Sequence, residues 1–193
     1  MAILHGVIPP EWVVYDEFLE AVLVREHGKA ISPKLKQRLR EAGLDLDKKL
    51  QHTYPASRLP EFLRLACEEL FPRLTLDQGL DKLGRGFISG WKQTFAGGAV
   101  TRLVKLFPAK RALMRLEKNF VSVDNFTRIQ MTEIGPRAIR AHFNHLLGIP
   151  AFYFGLLEEG ATISSAKNPR CRKEPGGEPG GEPGGIFVFE WDE

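Results

Sequence analysis

Between Tyr15 and His27 the apolar side chains Tyr15, Phe18, Leu19, Val22 and Leu23 recur at spacings of three and four, which places them on one helical face. Gly28 follows as a terminator. The stretch SPKLKQRLREAG repeats the pattern with its punctuation written out. Ser32 is an N-cap, Pro33 opens the first turn, Leu35 and Leu39 share a face, and Gly43 lies past the end. After the turn region LDLDKKLQHTYPAS, a third helix is predicted from Leu59 to Phe71, with Phe62, Leu65, Ala66 and Leu70 inward and Pro72 closing it. Thr75 and Gln78 form a capping box ahead of a long central helix that carries Leu80, Leu83, Phe87 and Trp91 at helical spacing. Two shorter helices are predicted over Ala99 to Phe107 and Ala109 to Lys118, divided by Pro108.

Near Val121 the period changes from helical to alternating. Ile129 and Met131 alternate with polar neighbours, Gly135 and Pro136 mark a turn, and Ile139, Ala141 and Phe143 alternate with Arg140, His142 and Asn144. This reads as an antiparallel hairpin with one apolar face. Pro150 opens a short helix, PAFYFGLLEEG, ended by Gly160. A weak strand around Cys171 and a strong one from Ile186 to Asp192 complete the chain. The order predicts an α+β fold, N-terminal helices packed on a C-terminal antiparallel sheet made of hairpin, helix, hairpin. The three EPGG units from Glu174 to Gly185 have a period of four, which excludes a collagen helix, where every third residue is glycine. They are predicted to form a flexible loop within the last hairpin of a single domain covering residues 1–193.

Composition adds little to this frame. A chain of 193 residues buries roughly 70% of its unfolded surface and needs no disulfide or metal to hold it. Its 27 basic and 24 acidic residues are mixed along the sequence, so the net charge of +3 gives no nucleic-acid-binding tail. Cys67 and Cys171 are too far apart in sequence to form a metal or redox motif, and low cysteine usage predicts free thiols in a reducing compartment. The N-terminus lacks the basic and apolar regions of a signal peptide, and no apolar run approaches the roughly 20 residues of a membrane span. The expected location is cytoplasmic.

Candidate chemistry is sparse. GRGFISG, Gly84 to Gly90, has the glycines of a phosphate loop but the wrong last spacing, and it interrupts a helix, so close helix packing or a bend is the expected role. His142 and His145 lie in and just after a strand, where residues three apart face opposite ways, so no metal site is expected. No GxSxG, HExxH or P-loop occurs, and the Glu68-Glu69 and Glu158-Glu159 pairs suit helices with one member in water. Lys34, Lys36, Arg38 and Arg40 would be the contacts of a DNA-binding helix, but a solvated amphipathic helix accounts for them equally.

The ordered phrases SPKLKQRLREAGLDLDKKL, LFPRL, LDKLGRGFISGWKQTFAGGA, KNFVSVDNFTRIQMTEIGP and LLGIPAFYFGLLEEG resemble a myxobacterial paralogous family of uncharacterised proteins, a domain of unknown function. The resemblance runs from about Gly6 to Asp192 and carries no activity with it. A looser resemblance, in the order of elements and in GIPAFYFGLLEEG, is to vinyl-4-reductase-type small-molecule-binding domains and the transport-particle subunits of Golgi traffic. It implies a non-catalytic binder of a small apolar molecule or of a protein partner, a homodimer included. Those relatives' cysteines have no counterpart at Gly155 or Gly160, so metal or tetrapyrrole ligation does not carry over.

The expectation is a non-enzymatic α+β binding module with a pocket between the central helix and the sheet. Arg85, Trp91, Thr94 and Asn125, polar or amphipathic groups inside apolar stretches, are the candidate ligand-binding residues. No catalytic residue, metal or cofactor is assigned. The alternatives are an enzyme acting on an apolar or tetrapyrrole-like substrate, or a DNA-binding protein.

Overall fold

The computed structural model describes residues 8–115, 118, 120–174 and 184–192. Strand β1 (Val13–Tyr15) leads into helix α1 (Asp16–Leu19), which widens into a π-helical segment, Glu20–Arg25. Helix α2 (Pro33–Glu41) starts where Ser32 accepts a hydrogen bond from the Leu35 N–H. Strand β2 (Thr53–Pro55) pairs antiparallel with β1, in a small sheet that the sequence reading missed because three residues are too few to show alternation. Helix α3 (Leu59–Leu70) follows, and α4 (Leu76–Lys92) opens with the expected reciprocal capping box of Thr75 and Gln78. Helix α5 (Phe95–Val104) begins four residues earlier than the apolar pattern suggests, because the Thr94 hydroxyl caps the Gly97 N–H; α6 (Ala109–Leu113) comes after Pro108.

Strands β3 (Ile129–Gly135) and β4 (Ala138–Phe143) form the expected hairpin, α7 (Pro150–Ala161) crosses the sheet, and β5 (Lys167–Glu174) and β6 (Gly185–Asp192) complete it. The strand order is β3-β4-β6-β5, all neighbours antiparallel, so the last strand lies inside the sheet between β4 and β5. Its sequence shows why: Phe187, Val188, Phe189 and Trp191 are all buried, as a central strand requires. Of the EPGG repeat, residues 175–183 lie outside the described residues; Glu174 and Ile186 beside them are register partners.

One face of the sheet carries Ile129, Ile139, Ala141, Phe143, Phe187 and Phe189, all buried, and α7 packs over it with the Tyr153 ring edge-on to Phe143 at 5.8 Å. Helix α4 packs on the other side of α7, and α3 and the π-helical segment pack on α4. The layers are therefore sheet, α7, α4, and the N-terminal helices. Glycines set the spacing between them. A Cβ at Gly84 would fall on the Phe152 carbonyl oxygen, one at Gly155 on the Asp81 carbonyl oxygen, and one at Gly90 on the Ala21 carbonyl oxygen, each inside 3.0 Å. GRGFISG is thus a helix-packing surface, bringing α4 to backbone distance from α7 and from the π-helical segment.

Candidate functional site

The C-terminal halves of α4 and α7 do not keep this contact. Beyond Gly84 and Gly155, Phe87, Ile88 and Trp91 of α4 face Leu157, Gly160 and Ala161 of α7 across a partly open cavity of about 80 Å³. Val100 and Val104 of α5 and Leu113 of α6 cover one side, Phe120 and Val123 another, and Phe189 of β6 forms the floor. The lining is almost wholly apolar. Among the described lining residues its one hydroxyl, Ser164, donates to the Ala161 carbonyl and accepts from the Ala166 N–H, so its proton is already committed. Among the described lining residues none is charged, and none is His, Cys, Met or Tyr.

Of the four candidates read from the sequence, the structure brings Trp91 alone to the cavity. Arg85 sits on the outer side of the α4–α7 contact, where Nε donates to Asp81 at 2.9 Å and a guanidinium nitrogen meets Glu158. These two carboxylates hold its pKa above the ordinary arginine value. Thr94 donates to the Trp91 carbonyl at 2.8 Å and caps α5. Asn125 accepts from the Val13 N–H and donates to the Glu11 carbonyl, tying the 124–127 loop to β1. Arg85→Ala is expected to lower stability by about 1 kcal/mol or less, since the ion pairs are part-exposed and screened. It should leave apolar-ligand affinity unchanged in a side-by-side titration with wild type.

Other polar clusters resolve into structure. Lys34 meets Glu69, Lys36 meets Asp47, Arg38 meets Glu68 and Glu69, and Arg40 meets Asp45 and Asp47, so the cations of α2 are engaged by carboxylates. His142 is exposed and His145 buried, with the His145 Nδ1 accepting from the Leu147 N–H. Among the described residues no group of three or more His, Cys, Asp or Glu side chains is placed to hold a metal ion. Burial pushes the Cys67 and Cys171 thiols up to about 12, which leaves neither as a nucleophile at neutral pH. The buried Asp124 accepts from the N–H groups of Phe126 and Thr127 and from the Thr127 hydroxyl, and so shapes the loop into β3. No described helix is long and apolar enough to cross a membrane.

A family model described as a protein of unknown function (DUF2378) matches residues 13–181. No curated protein matches the sequence. Solved structures of similar fold include an oxygen-binding H-NOX domain related to soluble guanylate cyclases, at 10% identity and a TM-score of 0.68, covering 92% of this chain and 92% of that one. A variant of an unliganded Fe(II) H-NOX protein from K. algicida is 13% identical, with a TM-score of 0.66 over 93% of this chain and 97% of that chain. A third, described under modulation of heme redox potential by porphyrin distortion, is 11% identical, with a TM-score of 0.68 over 91% and 94%. At these identities the likeness is one of fold. The cavity as described does not fit an iron porphyrin: among the described lining residues there is no axial ligand and no cation for a carboxylate.

Proposed function

We propose that this chain, which belongs to the DUF2378 family of proteins of unknown function, is a non-catalytic module that takes a small apolar molecule into the cavity between α4, α5, α7 and β6. The observation that carries the reading is a predominantly apolar cavity of about 80 Å³ whose one described hydroxyl has its proton committed within the fold. Such a lining favours apolar guests, whereas a strongly polar ligand would lose more hydrogen bonds with water than it gained. The residues in the binding role are Trp91, Phe87, Ile88 and Leu157, with Gly160 providing space. The fold neighbours, one of them described as an oxygen-binding H-NOX domain, support the same class of function, small-molecule binding.

The test is a thermal-shift titration with benzene, read together with tryptophan emission. At a tenfold excess over Kd, binding to the folded state adds about 1.4 kcal/mol, a rise in Tm of about 3–5 °C. Gly160→Ala fits sterically, its new Cβ lying 3.6 Å from Ile88 Cδ1, and removes a methyl's worth of space. It should fold normally and weaken benzene binding about threefold to tenfold. Absence of any shift with wild-type protein would sink the reading.

The porphyrin chemistry printed for one of the fold's members supports a second reading, a tetrapyrrole ligand. Here it would be held by apolar contact alone, and only after the cavity widened. Hemin addition separates the two, because the first reading predicts a hemin spectrum that the protein leaves unchanged.

A further inference from the structure

We propose that the corner where α5 turns into α6 docks on an anionic lipid surface. Val100 and Val104 of α5 line the cavity, while Leu103 near its end is 51% and Leu106, in the turn that follows it, 79% exposed. Arg102 and Lys105 are sequence neighbours of these leucines, Arg111 and Arg115 follow on and after α6, and in the sequence from Thr94 to Val123 Glu117 is the lone carboxylate. Among the described residues none of these four cations has a carboxylate partner, in contrast to the cations of α2, Arg85 and Lys92. Arg111 and Arg115 instead stand over the Phe107 ring, at 5.7 and 5.0 Å from its centroid, on the same corner as Leu106.

Exposed leucines accompanied by unpaired cations match a lipid surface on both counts. The apolar tips enter the acyl boundary and the cations meet phosphate headgroups. A second copy of the chain fits worse, because a two-fold contact would set this basic corner against itself. Nucleic acid would meet the cations but leave the leucines in water. Docking here is independent of what the cavity holds, although it would place α5 between the bilayer and the cavity.

The experiment is flotation of the full chain with vesicles of phosphatidylcholine alone and of phosphatidylcholine mixed with phosphatidylglycerol. Binding is expected to the mixed vesicles and to fall as salt shortens the Debye length to about 4 Å near 0.5 M. Leu103→Ser with Leu106→Ser, and separately Arg102→Gln with Lys105→Gln, should each reduce partitioning about tenfold or more without lowering Tm, since all four side chains are exposed. The proposal is overturned if mixed vesicles do not bind, or if both variants bind as wild type does. It is also overturned if the leucine variant dissociates a dimer that shows no vesicle binding. Benzene thermal shifts of the wild-type chain keep the two readings apart: a benzene shift with no flotation loses the docking and keeps the cavity, and flotation with no benzene shift does the opposite.

Discussion

Replacement of Gly84 or Gly155 by alanine is expected to destabilise the protein by about 3–5 kcal/mol, lowering Tm by about 10 °C or more. The sign is not obvious from the helix alone. Alanine is the better helix former by about 0.5–1 kcal/mol, and on an exposed surface the exchange would stabilise. Here the new Cβ meets a carbonyl oxygen of the facing helix well inside 3.0 Å, and a backbone oxygen cannot rotate out of the way as a side chain can. Either α4 and α7 move apart, losing buried contact along their length, or the local backbone distorts. Gly160→Ala, on the same helix as Gly155 but against the cavity, is the matched control and should change Tm little. Thermal unfolding of the three variants decides the matter: a Gly84→Ala protein that melts with wild type would mean that the close approach is not what sets the interlayer distance.

Asp124→Ala should cost about 2–4 kcal/mol, because three donors, the N–H groups of Phe126 and Thr127 and the Thr127 hydroxyl, would be left in a buried loop without their acceptor. The same residue gives a pH signature. Desolvation raises the Asp124 pKa, and its hydrogen bonds with Thr127 and Phe126 and the nearby Arg128 only partly offset this. With the folded value above the unfolded one of about 3.9, the native state holds the proton more tightly. That contribution to stability is therefore complete below the unfolded pKa and lost as pH rises through the folded one. Asp124→Asn removes the titration and keeps an acceptor for the two N–H groups. The stability of wild type relative to this variant is expected to decline from about pH 4 upward, measured by urea unfolding at each pH. A difference that grows in wild type's favour over that range would show that the hydrogen bonds outweigh burial.

Much of the fold is written in local signals. Ser32, the Thr75–Gln78 box and Pro150 fix three helix starts, and alternation from Ile129 to Phe143 and in the final strand fixes the sheet. The π-helical turn at Glu20–Arg25 escapes notice because spacings of three and four place the same side chains inward in an α-helix and in its wider relative. The cavity is less legible still. Trp91 stands out as a large aromatic on a buried stripe. Arg85, Thr94 and Asn125 are polar groups within apolar sequence, a pattern that marks an ion pair, a helix cap and a loop tie as readily as a ligand contact. The residues that make the space, Gly160 and Ala161, announce nothing, since a small side chain looks the same whether a neighbour fills the room beside it or not.

The backbone contact between α4 and α7 acts as a hinge pin. The two helices are locked at Gly84 and Gly155, while the cavity lies one to two turns further along both. Helix α4 is held again at Gly90 on the π-helical segment, so under the proposed reading a larger guest would be admitted by shifting the C-terminal end of α7 about that pin rather than by separating the layers. Under the same reading, substitutions around Trp91 and Gly160 would retune guest size while the pinned stretch stays as it is.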